Sequence, residues 1–317
     1  MNYSESALVE IAEMYFKQGL SQKIIAKQLN LSCPTLSRMI RKIRELEIVE
    51  IIIHRPETKT SRLLELAESV KSKLKLKEVM VAPQSSIGLL RKNMGKKCAE
   101  WLAGKLRENA ILGMAGGRSV ASMTEFVEKA HYPIEIVSLM GGINSVNYNI
   151  HSDMAVWNVS KQIGAVSHII HSPAILADKK DVATMKKNPV VSRVLSLFDK
   201  IDLAIVGIGA LYTGDSLLLQ SDLLSGADID FLKRGEYIGE MCGRFFNRKG
   251  KELAGTIAER TVAITLKQLR KIPLVCLVAS GAEKVEGIRA ASGAGFFNVL
   301  ITSEETAEAL LDYSQTT

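Results

Sequence analysis

The stretch "AGGRSV", residues 115–120, holds the residue types that bind an oxyanion. Gly116 and Gly117 let backbone N–H groups approach a ligand closely. Arg118 adds a guanidinium and Ser119 a hydroxyl, where an apolar run, "AILGM", gives way to a helical pattern. Three more glycine-rich turns follow apolar runs in the same way: "MGGINS", "GIGALYTGDS" and "SGAEKVEGI". The last places Gly281 in the turn and Lys284 near the start of the next helix. One such turn is ordinarily structural. Four in one domain, two of them with a cation, point to an anionic small molecule such as a sugar phosphate.

A second group of residues suits a different partner. The window from Lys17 to Arg44 holds seven basic residues and no acidic one, and the whole chain carries a net charge of +7. The remainder is therefore neutral overall, and the basic character belongs to one short segment. Concentrated positive charge marks a face for a polyanion, although it also occurs on solvated helices. The pattern inside the window favours the first reading. In "LSQKIIAKQLN", Ile24, Ile25, Ala26 and Leu29 recur at helical spacing behind Ser21, a capping residue. Leu31 can pack between helices, Ser32 caps again, and Pro34 fits a first turn. Leu36, Met39, Ile40 and Ile43 then form the inner stripe of the next helix. An earlier helix supplies Leu8, Ile11, Ala12, Tyr15 and Phe16 and stops at Gly19. Two short helices, a brief turn and an outward polar face predict a helix-turn-helix for double-stranded DNA. Its second helix would enter the major groove. Cys33, Pro34, Thr35 and Arg38 would face base edges, while Ser21, Gln22, Ser37, Arg41 and Lys42 would hold phosphates.

The elements that must position these residues fall into two domains. Residues 1–55 form the DNA-binding domain, with "EIVEIIIHRP" as a strand that would be the wing of a winged helix. Residues 56–77 are a linker or connecting helix, and residues 78–317 form a larger domain. There, "EVMVA", "IEIVSL", "VSHIIH", "LAIVGIG", "PLVCLVA" and "FNVLIT" join "AILGM" as apolar runs alternating with amphipathic stretches. That alternation predicts an α/β fold with a largely parallel sheet covered on both faces. Ligands of such sheets bind beyond the carboxyl ends of the strands, where the glycine-rich turns fall. Cys33, Cys98, Cys242 and Cys276 lack metal-ligand spacing, and Cys276 reads as a small core residue. No metal or cofactor is expected. Tyr15, Phe16, Trp101 and Trp157 read as packing residues. Neither a signal peptide nor a membrane-spanning run is evident, so the expected location is the cytoplasm.

With these residues assembled, the chain resembles the SorC family of bacterial sugar-responsive transcriptional regulators over nearly its whole length. The likeness lies in "YFKQGLSQKIIAKQLNLSCPTLSRMIRKIRELEIVEI", then "GMAGGRSV", "MGG", "DLAIVGIGA", "GEMCGRFFNRKG" and "SGAEKVEGIRAASGAGFFNVLITSEETAEALL". It implies a second domain similar to glucosamine-6-phosphate deaminase and ribose-5-phosphate isomerase, used to sense a phosphorylated sugar or sugar alcohol. It also implies a self-associating protein, a dimer or tetramer. Carried over by position, Gly117, Arg118 and Ser119 would form the phosphate loop. Gly142 and His151 would line the sugar pocket, Gly209 and Glu240 would approach from the other side, and Lys284 would sit near the phosphate. Many members have Trp where this chain has Gly116, and Asp where it has Glu240, so pocket volume differs. The Arg-Ser form leans toward members that respond to hexitols or sorbose.

An isomerase or deaminase with an added domain is the competing expectation. Its acid–base candidates would be Glu240, His151 and Asp215, but no two of them recur at one loop, and the helix-turn-helix would have no role. RNA binding lacks the interleaved aromatic residues that single-strand recognition uses. The expected function is a DNA-binding regulator of a carbohydrate-utilisation operon, not an enzyme.

Overall fold

The computed structural model describes residues 4–46, 48–49, 57–143, 152–210, 216–235 and 237–312. They form two compact units, residues 1–57 and 58–317.

The first unit is three helices. α1 (Glu5–Ala12) begins at Ser4, whose hydroxyl accepts from the Ala7 N–H, and runs on as a π-helical turn over Glu13–Lys17. Gly19, at φ +69°, ends it. α2 (Gln22–Gln28) and α3 (Cys33–Glu45) start at Ser21 and Ser32, whose hydroxyls accept from the Ile24 and Thr35 N–H groups. Leu8, Ile11, Ala12, Ile25, Ala26, Leu36, Met39, Ile40 and Ile43 form one buried cluster. Ile24, one of the apolar residues read at helical spacing, is 47% exposed, because adjacent helical residues point about 100° apart and Ile25 takes the inward position. The strand expected over 47–56 lies mostly outside the described residues.

The second unit opens with α4 (Glu57–Leu74), the helix expected as a connector. Its Ala67 and Val70, with Leu76, belong to this unit's core. The remaining chain runs β1 (Glu78–Ala82), α5 (Ile87–Lys105), β2 (Ala110–Met114), α6 (Arg118–Ala121), β3 (Ile134–Ser138), α7 (Ser152–Ile163), β4 (Val166–His168), α8 (Lys179–Lys187), α9 (Pro189–Leu195), β5 (Leu203–Val206) and β6 (Gly209–Ala210). Then come α10 (Gly226–Arg234), β7 (Tyr237–Met241), β8 (Arg244–Asn247), α11 (Thr256–Arg260), α12 (Leu266–Leu269), β9 (Leu274–Val278), α13 (Val285–Gly293), β10 (Val299–Ser303) and α14 (Glu304–Asp312). Seven strands make a parallel sheet in the order β1-β10-β9-β5-β2-β3-β4. The inner strands β2, β3, β5, β9 and β10 are buried on both faces, which is why their sequences are near-continuous apolar runs.

The strand order places the site. From β2 the chain moves outward to β3 and β4; β5 then returns to the other side of β2 and leads toward β9 and β10. The loops after β2 and β5 therefore part in opposite directions, leaving a crevice at the switch point. The two turns lie close, and a Cβ on Gly207 would sit 3.8 Å from the Gly116 carbonyl oxygen. Behind them, α5 packs tightly on the α6 turn: a Cβ on Gly95 would lie 2.3 Å from the Ser122 carbonyl oxygen, so only glycine fits.

A second sheet, β6-β7-β8, is antiparallel and adds a hairpin beside the crevice. Trp101 is buried and donates from Nε1 to Glu78 at 3.2 Å. Trp157, expected as a packing residue, is 53% exposed on α7, because Ala155, Val156 and Val159 occupy the inward face of that helix. Among the described residues no helix is long and apolar enough to cross a membrane, and no cluster of side chains could hold a metal ion.

Candidate functional site

The helix-turn-helix face is assembled as its spacing implies. Cys33, Pro34, Ser37, Arg38, Arg41 and Lys42 are exposed on α3, as is Ser21 ahead of α2; Gln22 and Thr35 are half-buried. Arg38 Nε donates to the Pro34 carbonyl at 3.3 Å, which holds its stem along the first turn. Thr35 Oγ1 lies 2.8 Å from Ser32 Oγ, so its hydroxyl also serves the helix cap. Lys42 pairs with Glu45 at 3.3 Å, an exposed contact that a phosphate could displace. Arg44 is drawn aside, over the Phe16 ring at 5.6 Å.

In the second unit, one cavity of about 500 Å³ lies at the carboxyl ends of the strands. From the β2 turn it takes Gly116, Gly117, Arg118 and Ser119, and from the β5 turn Gly207 and Gly209. The β9 turn supplies Ser280, Gly281, Glu283 and Lys284, and the β7–β8 hairpin supplies Glu240 and Cys242. Thus Gly116, Gly117, Arg118, Ser119, Gly209, Glu240 and Lys284, distant in sequence, line one cavity. Gly117 (φ +120°) and Gly281 (φ +124°) hold backbone conformations that side chains disfavour, so both turns need glycine. Gly209 pairs with Glu240 across β6 and β7, and a Cβ there would lie 3.1 Å from Glu240 Oε2. This glycine makes room for the carboxylate.

Glu240 is the most perturbed acid in the cavity. Burial pushes its pKa up to about 7, against the opposing effects of a Gly243 N–H donated to Oε1 at 3.3 Å and the Lys284 charge. Near neutrality it can therefore be either a hydrogen-bond donor or an acceptor. Beside it, Cys242 adopts φ +52° in the hairpin turn. Burial and the Glu240 charge push its thiol far above the usual range, leaving it neutral and unreactive. Arg244, four residues after Glu240, does not pair with it but lies 3.7 Å from Glu252. Arg244 is buried and donates to the carbonyls of Ala258, Thr261, Ala263 and Ile264, so it ties the hairpin to that segment.

Gly142 stands beside the cavity: Met140 and Ile143 of its turn line it, and Ile143 also lines the cleft that holds Gly142. That neighbouring cleft also takes Asp153, His171 and Pro173; Gly142 bridges to Pro173 and accepts from the Ala174 N–H. His151 and Asp215 lie outside the described residues. Sequence reasoning missed Gln84, Ser85, Arg91, Cys242, Glu283 and Glu305, all of which line the cavity. Glu283 adjoins Lys284 in a turn already singled out. Cys242 lies two residues from Glu240 on the same hairpin, while Gln84, Ser85, Arg91 and Glu305 carried no local signal, because strand order brings them in.

A helix-turn-helix unit, and in the same chain a polar cavity at the switch point of a parallel sheet, define a DNA-binding regulator that responds to a small molecule. The family described as "putative sugar-binding domain" matches residues 58–312. The chain is 29% identical over 311 residues to the sorbitol operon regulator of Klebsiella pneumoniae, covering 96% of this chain and 97% of that one. It is 26% identical over 306 residues to the deoxyribonucleoside regulator of Bacillus subtilis (strain 168), covering 96% of each. The solved structure of full-length SorC, the sorbitol operon regulator from Klebsiella pneumoniae, matches with a TM-score of 0.76 at 27% identity, covering 98% of this chain and 100% of that one. The chain belongs to the SorC family of sugar-responsive transcriptional regulators, and by these relatives it is a regulator rather than an enzyme.

Proposed function

We propose that α2 and α3 bind operator DNA of a carbohydrate-utilisation operon, and that a phosphorylated sugar or sugar alcohol in the cavity controls that binding. The observation that carries this reading is the convergence of the Gly116–Ser119 turn, Lys284 and Glu240 on one cavity. A phosphate brings close to two negative charges, which backbone N–H groups, Arg118 and Lys284 suit. Glu240, flanked by the neutral Cys242 thiol, suits a hydroxyl. Relatives named for sorbitol and deoxyribonucleosides support a polyhydroxylated ligand. A regulator of this kind acts in the cytoplasm, and as a dimer or tetramer it would read repeated half-sites. The effector switches DNA binding only through unequal affinity for the DNA-competent arrangement and its competitor.

The test is a thermal-shift screen of pentose, hexose and hexitol phosphates, followed by calorimetry of each hit against its unphosphorylated parent. Tighter binding of the phosphorylated member is expected. Tighter binding of the free sugar would overturn the phosphate assignment and leave the regulator intact.

A further inference from the structure

The effector reading above uses two cations of the cavity, Arg118 and Lys284, and leaves a third, Arg91 of α5, without a part. Arg91 is half-buried in the cavity wall. Among the described residues it makes neither an ion pair nor a hydrogen bond. The carboxylates of the cavity are engaged elsewhere. Glu240 accepts from the Gly243 N–H, and Glu305 accepts from Gln84 Nε2. Glu283 folds over its own turn, where a Cβ on Gly281 would lie 2.2 Å from Glu283 Oε1. A guanidinium held in a cavity wall without a counter-charge suits an anionic ligand.

Helix packing says where that anion sits. α5 follows β1 and α6 follows β2, two strands of one parallel sheet, so both helices begin at its carboxyl edge and run back from it. They touch where Gly95 meets Ser122: a Cβ on Gly95 would lie 2.3 Å from the Ser122 carbonyl oxygen and 2.7 Å from its Oγ. Arg91 stands four residues before Gly95, and Arg118 four residues before Ser122. Each is therefore about one turn, roughly 6 Å, nearer the carboxyl edge than that contact. A helical side chain also leans toward the N-terminus of its helix, which directs Arg91 toward the cavity. The two arginines thus rise side by side from packed helices at the Gly116–Gly117 turn.

We propose that Arg91 and Arg118 clamp one terminal phosphate of the effector between them. This rests on the cavity being the effector site, and it narrows the ligand to a phosphate monoester. A monoester presents three unesterified oxygens and close to two negative charges, enough for two guanidinium groups and the N–H groups of the turn. A diester presents two such oxygens and a single charge.

Phosphorus NMR titration of the full chain with methyl phosphate and with dimethyl phosphate tests it. Methyl phosphate should bind the tighter. Arg91→Gln and Arg118→Gln should each weaken methyl phosphate about tenfold and dimethyl phosphate less, so that the preference for the monoester shrinks. Arg91→Lys, which keeps the charge but not the fork, should restore part of the loss, and it stands in if Arg91→Gln lowers the melting temperature. Sensitivity to only one of the two arginines would overturn the proposal and leave the effector site in this cavity. Sensitivity to neither, or no methyl phosphate bound at millimolar concentration, would overturn both. A loss in Arg91→Gln equal for the two probes would show a general effect of charge rather than a clamp, and would also overturn the proposal.

Discussion

Glu240 shows how one residue links stability to ligand recognition. Its folded pKa of about 7 lies above its ordinary value of 4.5. An acid raised on folding contributes stability that is fully present below its unfolded pKa and is lost as pH rises through its folded pKa. The ligand-free chain should therefore lose stability between about pH 4.5 and 7 from this group. At about 1.4 kcal/mol for each pH unit of that window, about 3 kcal/mol is a ceiling, since water still reaches the carboxyl through the cavity. Glu240→Gln should flatten that part of the profile, measured as urea midpoint against pH; an unchanged profile would mean that the carboxyl is not desolvated. Arg118 and Ser119 belong to the same scale. Ser119→Ala should weaken a sugar phosphate by about 1 kcal/mol, the net worth of one hydrogen bond. Arg118→Ala should cost more, because it removes charge as well. Calorimetry reads both, and insensitivity to both would move the phosphate elsewhere in the cavity.

At the scale of elements, α3 is a helix whose inner stripe and outer face are separate instruments. Leu36, Met39, Ile40 and Ile43 anchor it, leaving Arg38 and Arg41 exposed one turn apart. Arg38, in the N-terminal half, is placed for base edges. Arg38→Ala should cost about 1–3 kcal/mol on a selected operator and less on random DNA. Arg41→Ala should weaken all sequences more evenly and lower the salt slope by about one, as expected for a phosphate contact. Fluorescence anisotropy across a salt series separates the two. Operator binding equal to the parent's in both variants would show that this face does not enter the groove. The β7–β8 hairpin is the corresponding device in the second unit. Arg244 fastens it through four carbonyls, and so fixes the strand that presents Glu240.

For the whole molecule, α4 decides where the effector unit begins. A fragment starting near Lys77 keeps every sheet strand, but it loses Ala67, Val70 and Leu76 from the core. Fully burying one large apolar side chain such as Val is worth about 1.5–3 kcal/mol. The fragment 58–317 should therefore fold and bind a sugar phosphate like the full chain, while 77–317 should unfold at a clearly lower urea concentration. Equal midpoints would show that α4 only tethers the two units. Sedimentation of 58–317 reports whether this unit alone self-associates, as the proposed reading of repeated half-sites would require.

How much was readable from residue order depends on the range of the interactions. The serine caps at Ser21 and Ser32, the inner stripe of α3, the seven apolar strand segments and the glycine turns at Gly117 and Gly281 were legible, because each is a pattern among near neighbours in sequence. The inward choice of Ile25 over Ile24 was not, since both fit a helical period and only the packed partners select one. Nor was the antiparallel hairpin behind Glu240, whose strands Tyr237–Met241 and Arg244–Asn247 are short and carry no long apolar run. Gly142 and Gly117 each belong to a Gly-Gly pair after a strand, yet only Gly117 reaches the cavity. Strand order put one glycine pair at the switch point, while the other turn offers the cavity Met140 and Ile143 and its Gly142 bridges to Pro173. Ser85 and Arg91 were equally silent, because they reach the cavity from beyond β1, which three other strands separate from β2. Which residues bind was thus written locally in part; which of them meet was decided by non-local strand pairing, and no short stretch of sequence encodes it.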